Sequence, residues 1–316
     1  MTTIDKLFRL TITNLSKPSS LYNLGLKPLI YSESLAKLKN LGWHRSGENI
    51  KYYKKIDSDI TKKTRAYCLT FTIEFPCDND TVYLAHDYPY TYTDLQHYLA
   101  DITTDSVKSK FIKSRILCKS LAGNSVHILT ISNPSKDHLQ SDDRKKKMIL
   151  ITARVHPGET NGSWMMKGFL DYVLSDDPDA FTLRDNFIFK VIPMLNPDGV
   201  IGKLLLRHVP GPSCFIVGNY RCSLAGRDLN RRYKTSLRDA FPPVWHTRLM
   251  VQRITRDRPI ALYIDLHGHS RKHNVFMYGC KSSKAGEEKI FPYMMGLNAR
   301  NSFSYDSCKY KLQPNK

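Results

Sequence analysis

The sequence predicts an α/β protein, with a mixed, mostly parallel sheet and flanking helices, preceded by a partial antiparallel β-sandwich domain. Nearly continuous apolar runs at 148–155, 187–195 and 259–266 are typical of central strands that are covered on both faces. Between the first two runs, apolar residues of 164–175 recur three and four positions apart, which predicts a helix. Strands that alternate with helices indicate a largely parallel sheet.

The N-terminal third has a different pattern. Segments 50–55, 67–75 and 81–88 are rich in aromatic and β-branched residues that nearly alternate with polar ones, which predicts antiparallel strands. The pattern changes at about residue 106. We therefore expect two domains, 1–105 and 106–316.

The composition restricts the class of partner. The chain has 48 Lys and Arg residues against 29 Asp and Glu, a formal net charge of +19, which attracts polyanions. The candidates are nucleic acid, an anionic membrane and an acidic protein. The basic residues are dispersed and no nucleic-acid-binding motif accompanies them. Charge alone restricts the partner only to something acidic, although we expect neither nucleic acid nor a membrane. The seven cysteines are scattered without a CxxC pair, and no signal peptide or membrane span is recognisable. These features predict a cytosolic protein.

Polar clusters follow the three predicted strands, at the sheet edge where ligands bind in such folds. His156 and Glu159 flank a tight Pro-Gly bend, and His267 directly follows the third strand. Two imidazoles and one carboxylate form a ligand set for one Zn²⁺ ion with an open fourth position. An HxxE pair alone is a weak motif, because a strand-end turn with a surface carboxylate has the same spacing.

A second cluster lies at 219–233. Asp228 can accept the second N–H of a ligand imidazole. Asn230 and Arg231 suit a substrate carboxylate, and Arg221 can polarise a carbonyl or hold an oxyanion. The alternative is a basic surface loop whose arginines pair with Asp residues elsewhere.

Several long segments resemble the cytosolic carboxypeptidases, the tubulin deglutamylases of the zinc metallocarboxypeptidase clan, with the greatest similarity to members two and three. The catalytic-domain segments that carry this resemblance are 156–175, 189–200, 219–231 and 265–280, and those that resemble the preceding β-sandwich domain are 16–32, 42–55 and 88–99.

The resemblance implies roles for individual residues. It implies His156, Glu159 and His267 as zinc ligands, with Asp228 behind them. It implies that Asn230 and Arg231 bind the substrate's C-terminal carboxylate, and that Arg221 is the arginine that polarises the substrate carbonyl. It also implies removal of glutamates from tubulin and other acidic tails, in the cytosol or at centrioles, basal bodies and cilia.

Three departures from the family pattern lead to further expectations. A segment at 201–215 is inserted before the loop of Arg221. The chain begins inside the β-sandwich, and it ends before the strand that carries the family's general-base glutamate, so the zinc carboxypeptidase domain is expected to be C-terminally incomplete. We therefore expect zinc binding with weak or absent peptidase activity.

Two alternatives remain open at this point. The first is a non-catalytic fragment that binds zinc and acidic tails. The second is an amidohydrolase similar to the aspartoacylases, which share the HxxE element, a DLNR-like element and a later His. Nucleic-acid binding has only the net charge in its favour.

Overall fold

The computed structural model of the chain describes residues 7–55, 66–75, 77–134, 146–202 and 220–311. The chain divides into two compact units, one formed by Met1–Tyr88 with His269–Leu312 and the other by Pro89–Gly268. The predicted domains, 1–105 and 106–316, follow a change in sequence pattern rather than compactness, and that boundary stays a prediction. Residues 203–215 of the inserted segment lie outside the described residues.

The described part of the first unit contains two antiparallel sheets with strand orders β1-β5-β4 and β3-β2-β6, as the alternating N-terminal runs predict. One buried cluster includes Ile30 of one sheet and Leu69 and Phe71 of the other, the shared core of a sandwich. The elements are β1 (Leu7–Leu15), β2 (Leu29–Ser32), α1 (Glu33–Lys39), β3 (His44–Arg45), β4 (Glu48–Lys54), β5 (Tyr67–Glu74), β6 (Val82–Ala85), and later β12 (Tyr278–Gly279), α7 (Glu287–Asn298) and β13 (Lys309–Tyr310).

The second unit is built on a five-stranded mixed sheet, in the order β11-β9-β10-β8-β7 over its described residues. Its elements are α2 (Tyr92–Thr104), β7 (Ile112–Lys119), β8 (Ser125–Ile131), β9 (Lys147–Ala153), α3 (Thr160–Val173), α4 (Pro178–Asn186), β10 (Phe187–Ile192), α5 (Pro197–Ile201), α6 (Pro242–Asp257) and β11 (Ile260–Leu266). β9 pairs in parallel with β10 and β11, whereas β8 pairs antiparallel with β7 and β10. The predicted α/β class and the mixed sheet are confirmed, and all three apolar runs form strands. β9 and β10 lie inside the sheet, whereas β11, which was predicted as a central strand, lies at the edge over the described residues and is partly exposed.

Both faces of this sheet are covered, which explains the continuous apolar runs. On one face, Leu99 of α2 and Met166 and Leu170 of α3 share a buried cluster with Leu129 and Ile151 of the sheet. Each such side chain contributes roughly 1.5–3 kcal/mol by burial. On the other face, α6 packs through Val244. Because helices cover both faces, most side chains of the inner strands β9 and β10 are apolar.

Within the described ranges, none of the helices combines the length and the apolarity that crossing a bilayer requires.

Candidate metal centre

The turn after β9 brings His156 and Glu159 to the carboxyl-end edge of the sheet. The Glu159 N–H donates to the His156 carbonyl oxygen at 3.2 Å, which closes the turn. Gly158 donates its N–H to the Tyr220 carbonyl oxygen at 2.9 Å, and a Cβ at this position would overlap the Tyr220 ring. Glycine is therefore required here, because the 220s loop passes directly against the turn. Both His156 and Glu159 are buried.

His267 joins these two residues from β11. Its Nδ1 lies 2.9 Å from Glu159 Oε2 and 3.2 Å from Nδ1 of His156, and Nδ1 of His156 lies 3.0 Å from Glu159 Oε1. A suitable donor atom from each of the three residues lies within 4.8 Å of the others. The residues predicted as zinc ligands thus converge on one point, although His267 lies 108 positions after Glu159 and 111 after His156.

The outer nitrogens of the two imidazoles contact carboxylates. Nε2 of His156 lies 3.1 Å from Asp228 Oδ1, and Nε2 of His267 lies 2.8 Å from Asp265 Oδ2. A carboxylate accepts, so each Nε2 donates and each neutral ring has its lone pair on Nδ1. Two lone pairs 3.2 Å apart repel each other unless a cation lies between them. This His₂Glu donor set fits Zn²⁺.

The ionisation of these groups also favours a cation. Burial would raise the pKa of Glu159, but hydrogen bonds from His156 and His267 outweigh it and hold the pKa well below its usual range. Burial likewise would raise the pKa of Asp228, but His156 and Arg221 lower it to about 2. Burial would lower the pKa of His267, whereas Asp265 and Glu159 raise it to about 9. The carboxylates of Glu159 and Asp228 therefore stay ionised, and their negative charge favours a cation at the three donor atoms.

The predicted substrate residues border this group. Arg221 donates its Nε–H to Asp228 Oδ2 at 2.7 Å, and its Nη1 lies 4.0 Å from Glu159 Oε1. Asp228 thus contacts one imidazole and one guanidinium. It also accepts from the Asn230 N–H at 2.9 Å, as the N-cap of a short 3₁₀ helix, Leu229–Arg231. The cap fixes the position of the two residues that follow.

Asn230 and Arg231 have unused polar atoms. The side-chain oxygen of Asn230 is buried without a hydrogen-bond partner among the described residues. Arg231 is exposed, and its Nη1 donates to the Asn230 carbonyl oxygen at 3.4 Å. Buried polar atoms without partners are rare in folded proteins, so this oxygen is available to accept a hydrogen bond from a bound molecule or water.

The profile of the zinc carboxypeptidase family, Peptidase_M14, matches residues 102–311. The chain belongs to the zinc carboxypeptidase family. Its relatives include cytosolic carboxypeptidase 2 of Danio rerio, 54% identical over 98% of this chain and 41% of that protein. Another relative is cytosolic carboxypeptidase 3 of Mus musculus, 52% identical over 100% of this chain and 30% of that protein. The chain thus spans less than half the length of either relative.

The fold agrees with this assignment. A solved structure from Shewanella denitrificans, classed with carboxypeptidase A, superposes with a TM-score of 0.70 at 22% identity, covering 100% of this chain and 72% of that one. A metallo-carboxypeptidase from Burkholderia cenocepacia superposes with a TM-score of 0.63 at 20% identity, covering 98% and 70%. At these identities the likeness shows that the fold is shared.

Three residues of this zinc carboxypeptidase site were not predicted from the sequence. Asp265 was read as part of an apolar strand, although it lies two residues before His267 and therefore on the same face of β11. Arg154 is buried and donates to the Pro157 carbonyl oxygen and to Ser163 Oγ, both at 2.8 Å. Asn196 donates to the Val155 and Cys222 carbonyl oxygens at 3.2 and 3.1 Å, which joins the two loops.

Proposed function

We propose that the chain binds one zinc ion at His156, Glu159 and His267 and acts as a metallocarboxypeptidase that removes glutamates from acidic protein tails, such as those of polyglutamylated tubulin. The observation that supports this most is the convergence of the three donor side chains at one point, with both outer nitrogens held by carboxylates. Asn230 and Arg231, whose side-chain NH₂ and guanidinium groups can donate to a substrate carboxylate, lie in the loop that begins at Asp228.

When bound, a zinc ion at a three-ligand site supplies Lewis-acid polarisation and an acidified water. The chain's own residues do the rest. The ion pair with Asp228 holds Arg221 through Nε, which leaves its remaining N–H groups able to donate to the oxygen of the scissile carbonyl. The contact between Asp228 and the buried His156 keeps this guanidinium beside the metal ligands.

We assign recognition of the substrate's C-terminal carboxylate to Asn230 and Arg231. A guanidinium binds a carboxylate through two parallel hydrogen bonds, which selects a free C-terminus over an amidated one. The net charge of +19 supports an acidic tail as the substrate, because it attracts glutamates upstream of the terminal residue. The names of the relatives support a cytosolic site of action; association with centrioles, basal bodies or cilia stays a prediction.

A second candidate is tail binding with weak or absent turnover. In the described part of the chain, the carboxylates hydrogen-bonded to the two imidazoles are Glu159, Asp228 and Asp265. Each is engaged in the metal site, so none of these three carboxylates is free to accept a proton from water. Where no other group serves as a positioned base, the rate falls by about 10²–10⁴-fold. This observation favours slow turnover by the 316-residue chain.

The test uses the purified 316-residue chain, loaded with zinc, and a peptide that ends in a run of glutamates. Free glutamate and peptide binding are measured together, with and without a chelator, and N-acetylaspartate serves as the substrate for the amidohydrolase alternative. Chelator-sensitive glutamate release supports the peptidase. Zinc-dependent binding without release supports the second candidate. A folded, zinc-loaded chain that does neither contradicts both.

The role of Arg231 is tested with the same peptide. Arg231→Gln should weaken binding by about 10- to 100-fold, as expected for loss of a charge-assisted hydrogen bond, and should leave zinc affinity unchanged. Arg227→Gln is the matched control, since Arg227 is an exposed arginine of the same loop. An amidated peptide should bind equally weakly to wild type and Arg231→Gln. An equal loss of peptide affinity in Arg231→Gln and Arg227→Gln would instead indicate a general effect of net charge.

A further inference from the structure

Behind the metal centre, a buried hydroxyl contacts the carboxylate that holds His267. Asp265 of β11 lies opposite Thr152 of β9 in the parallel register. Thr152 donates its hydroxyl to Asp265 Oδ1 at 2.8 Å, while Asp265 Oδ2 contacts Nε2 of His267 at 2.8 Å. Thr152 has no exposed surface, and the side chain of Asp265 is only 5% exposed. One carboxylate oxygen therefore accepts from Thr152 and the other contacts His267.

Two tyrosines extend this contact. The Tyr263 hydroxyl lies 3.2 Å from Thr152 Oγ1, and the Tyr233 hydroxyl lies 3.5 Å from that of Tyr263. Burial raises the pKa of Tyr233 well above its ordinary value, so this phenol stays protonated. The hydrogen bonds form a chain through Tyr233, Tyr263 and Thr152 to Asp265.

The position of each hydroxyl hydrogen in this series of hydrogen bonds is fixed by the carboxylate of Asp265, at which the series ends. A carboxylate can only accept, so Thr152 must donate its single hydroxyl hydrogen to Asp265. Tyr263 must then donate to Thr152, and Tyr233 can donate to Tyr263. Every hydroxyl points towards Asp265, an arrangement in which neighbouring hydrogen bonds polarise one another. Asp265 is thereby held as an acceptor on both oxygens, and the N–H of His267 must lie on Nε2.

We propose that Thr152 is a positioning residue for the metal site: by donating to Asp265, its hydroxyl fixes the ring orientation and tautomer in which His267 presents Nδ1 to the metal. This inference rests on the proposed zinc binding. Tyr263 in turn orients the Thr152 hydroxyl by donating to it. The simpler alternative is that Thr152 donates to Asp265 only to satisfy its own buried hydroxyl, with no effect on His267.

Isosteric variants separate these two explanations. Thr152→Val keeps the branched shape that suits a buried strand and removes the hydroxyl, whereas Thr152→Ser keeps the hydroxyl. Loss of an outer-shell partner of a metal ligand typically weakens metal affinity by about 10–100-fold. We expect a loss in this range for Thr152→Val, near wild-type affinity for Thr152→Ser, and a smaller loss for Tyr263→Phe.

The measurement is zinc affinity of the 316-residue chain by competition with a chromophoric chelator, together with the visible absorption spectrum of the cobalt-loaded protein. Denaturation in excess chelator gives the stability of each metal-free variant. A weakened affinity and altered cobalt spectrum in Thr152→Val, at a metal-free stability equal to that of Thr152→Ser, support the proposal. Should Thr152→Val not fold, Tyr263→Phe decides by the same two readouts.

Unchanged affinity and spectrum in the folded hydroxyl-deleted variants overturn the proposal and leave zinc binding intact. Failure of the wild-type chain to bind zinc is a different result, which overturns the proposed function itself. Direct detection of the His267 tautomer in the zinc-loaded protein, by nitrogen-15 NMR, adds a criterion. A ring that carries its hydrogen on Nε2 in wild type and loses this preference in Thr152→Val supports the assigned role.

Discussion

Arg154 donates its Nε–H to the carbonyl oxygen of Pro157, 2.8 Å away, and so ties the end of β9 to the turn that carries His156 and Glu159. Its backbone has a φ of 56°, in the left-handed region that non-glycine residues rarely adopt. Its Nη1 also donates to Ser163 Oγ at 2.8 Å and to the Tyr90 carbonyl oxygen at 3.1 Å. These three hydrogen bonds hold the strained backbone in place.

We expect Arg154→Lys to destabilise the protein by about 2–4 kcal/mol, because a lysine cannot reach all three acceptors and leaves buried groups unsatisfied. Zinc affinity should fall as well, since the turn loses its anchor. Urea denaturation measures the first effect and chelator competition the second. Arg227→Gln, which removes an exposed arginine, should change neither. Wild-type stability in Arg154→Lys would show that the three contacts are not needed.

Two glycines on one helix provide a matched pair. A Cβ at Gly162 would lie 2.9 Å from the Leu266 carbonyl oxygen, whereas a Cβ at Gly168 would meet nothing within 4 Å. We expect Gly162→Ala to move α3 away from β11, separate Glu159 from His267 and weaken zinc binding by about tenfold or more. Gly168→Ala should bind zinc normally and gain about 0.5–1 kcal/mol in stability from helix propensity. Chelator competition and thermal denaturation of the pair test this, and equal zinc affinities would contradict it.

Zinc should stabilise the fold in proportion to its binding. At a free zinc concentration 100 times the dissociation constant, we expect the free energy of unfolding to rise by about 2.7 kcal/mol. Urea denaturation with zinc and with a chelator measures the difference. Glu159→Gln keeps the shape of the side chain and removes the anionic ligand, so its stabilisation by zinc should largely disappear. Equal stabilisation of this variant would place the ion elsewhere.

Asp228 contacts both His156 and Arg221, so its replacement should affect two properties. Asp228→Asn is expected to weaken zinc binding by about 10–100-fold, because an amide can present its NH₂ group to Nε2 of His156 and disfavour the ligating tautomer. It should also release Arg221 from its ion pair and weaken peptide binding beyond what zinc loss explains, when measured at saturating zinc. Asp101→Asn, at an exposed position of α2, serves as the control.

The central strands and the metal ligands are predictable from the sequence for a simple reason. β9 and β10 are mostly buried, so their apolar runs are nearly uninterrupted, whereas β11 is partly exposed at the edge of the described sheet. Polar residues directly after these strands meet at one edge of the sheet. His156, Glu159 and His267 occupy these positions and are brought together as predicted. Their roles, like those of Asn230, Arg231 and Arg221, await the experiments above.

Other features depend on pairings that the sequence does not display. Asp265 lies within an apolar run, and its partner Thr152 is found only when β11 is set beside β9. Helix α2 is also not predicted from the apolar pattern, although Thr91 and Asp94 form a capping box that the spacing T-x-x-D indicates. The β7-β8 hairpin contributes the antiparallel half of the sheet's pairings, which the apolar runs alone do not predict.

Over the described residues, β11 lies at the edge of its sheet and pairs with β9 alone, which has a kinetic consequence. His267 directly follows β11, and the turn after β9 carries His156 and Glu159. Local separation of β11 from β9 would move His267 away from His156 and Glu159 without unfolding the rest of the unit. The escape rate of the ion is then governed by local opening of an edge strand. An ion that bridges the two strands in turn slows that opening, so that metal residence time and hydrogen exchange in β11 should change together.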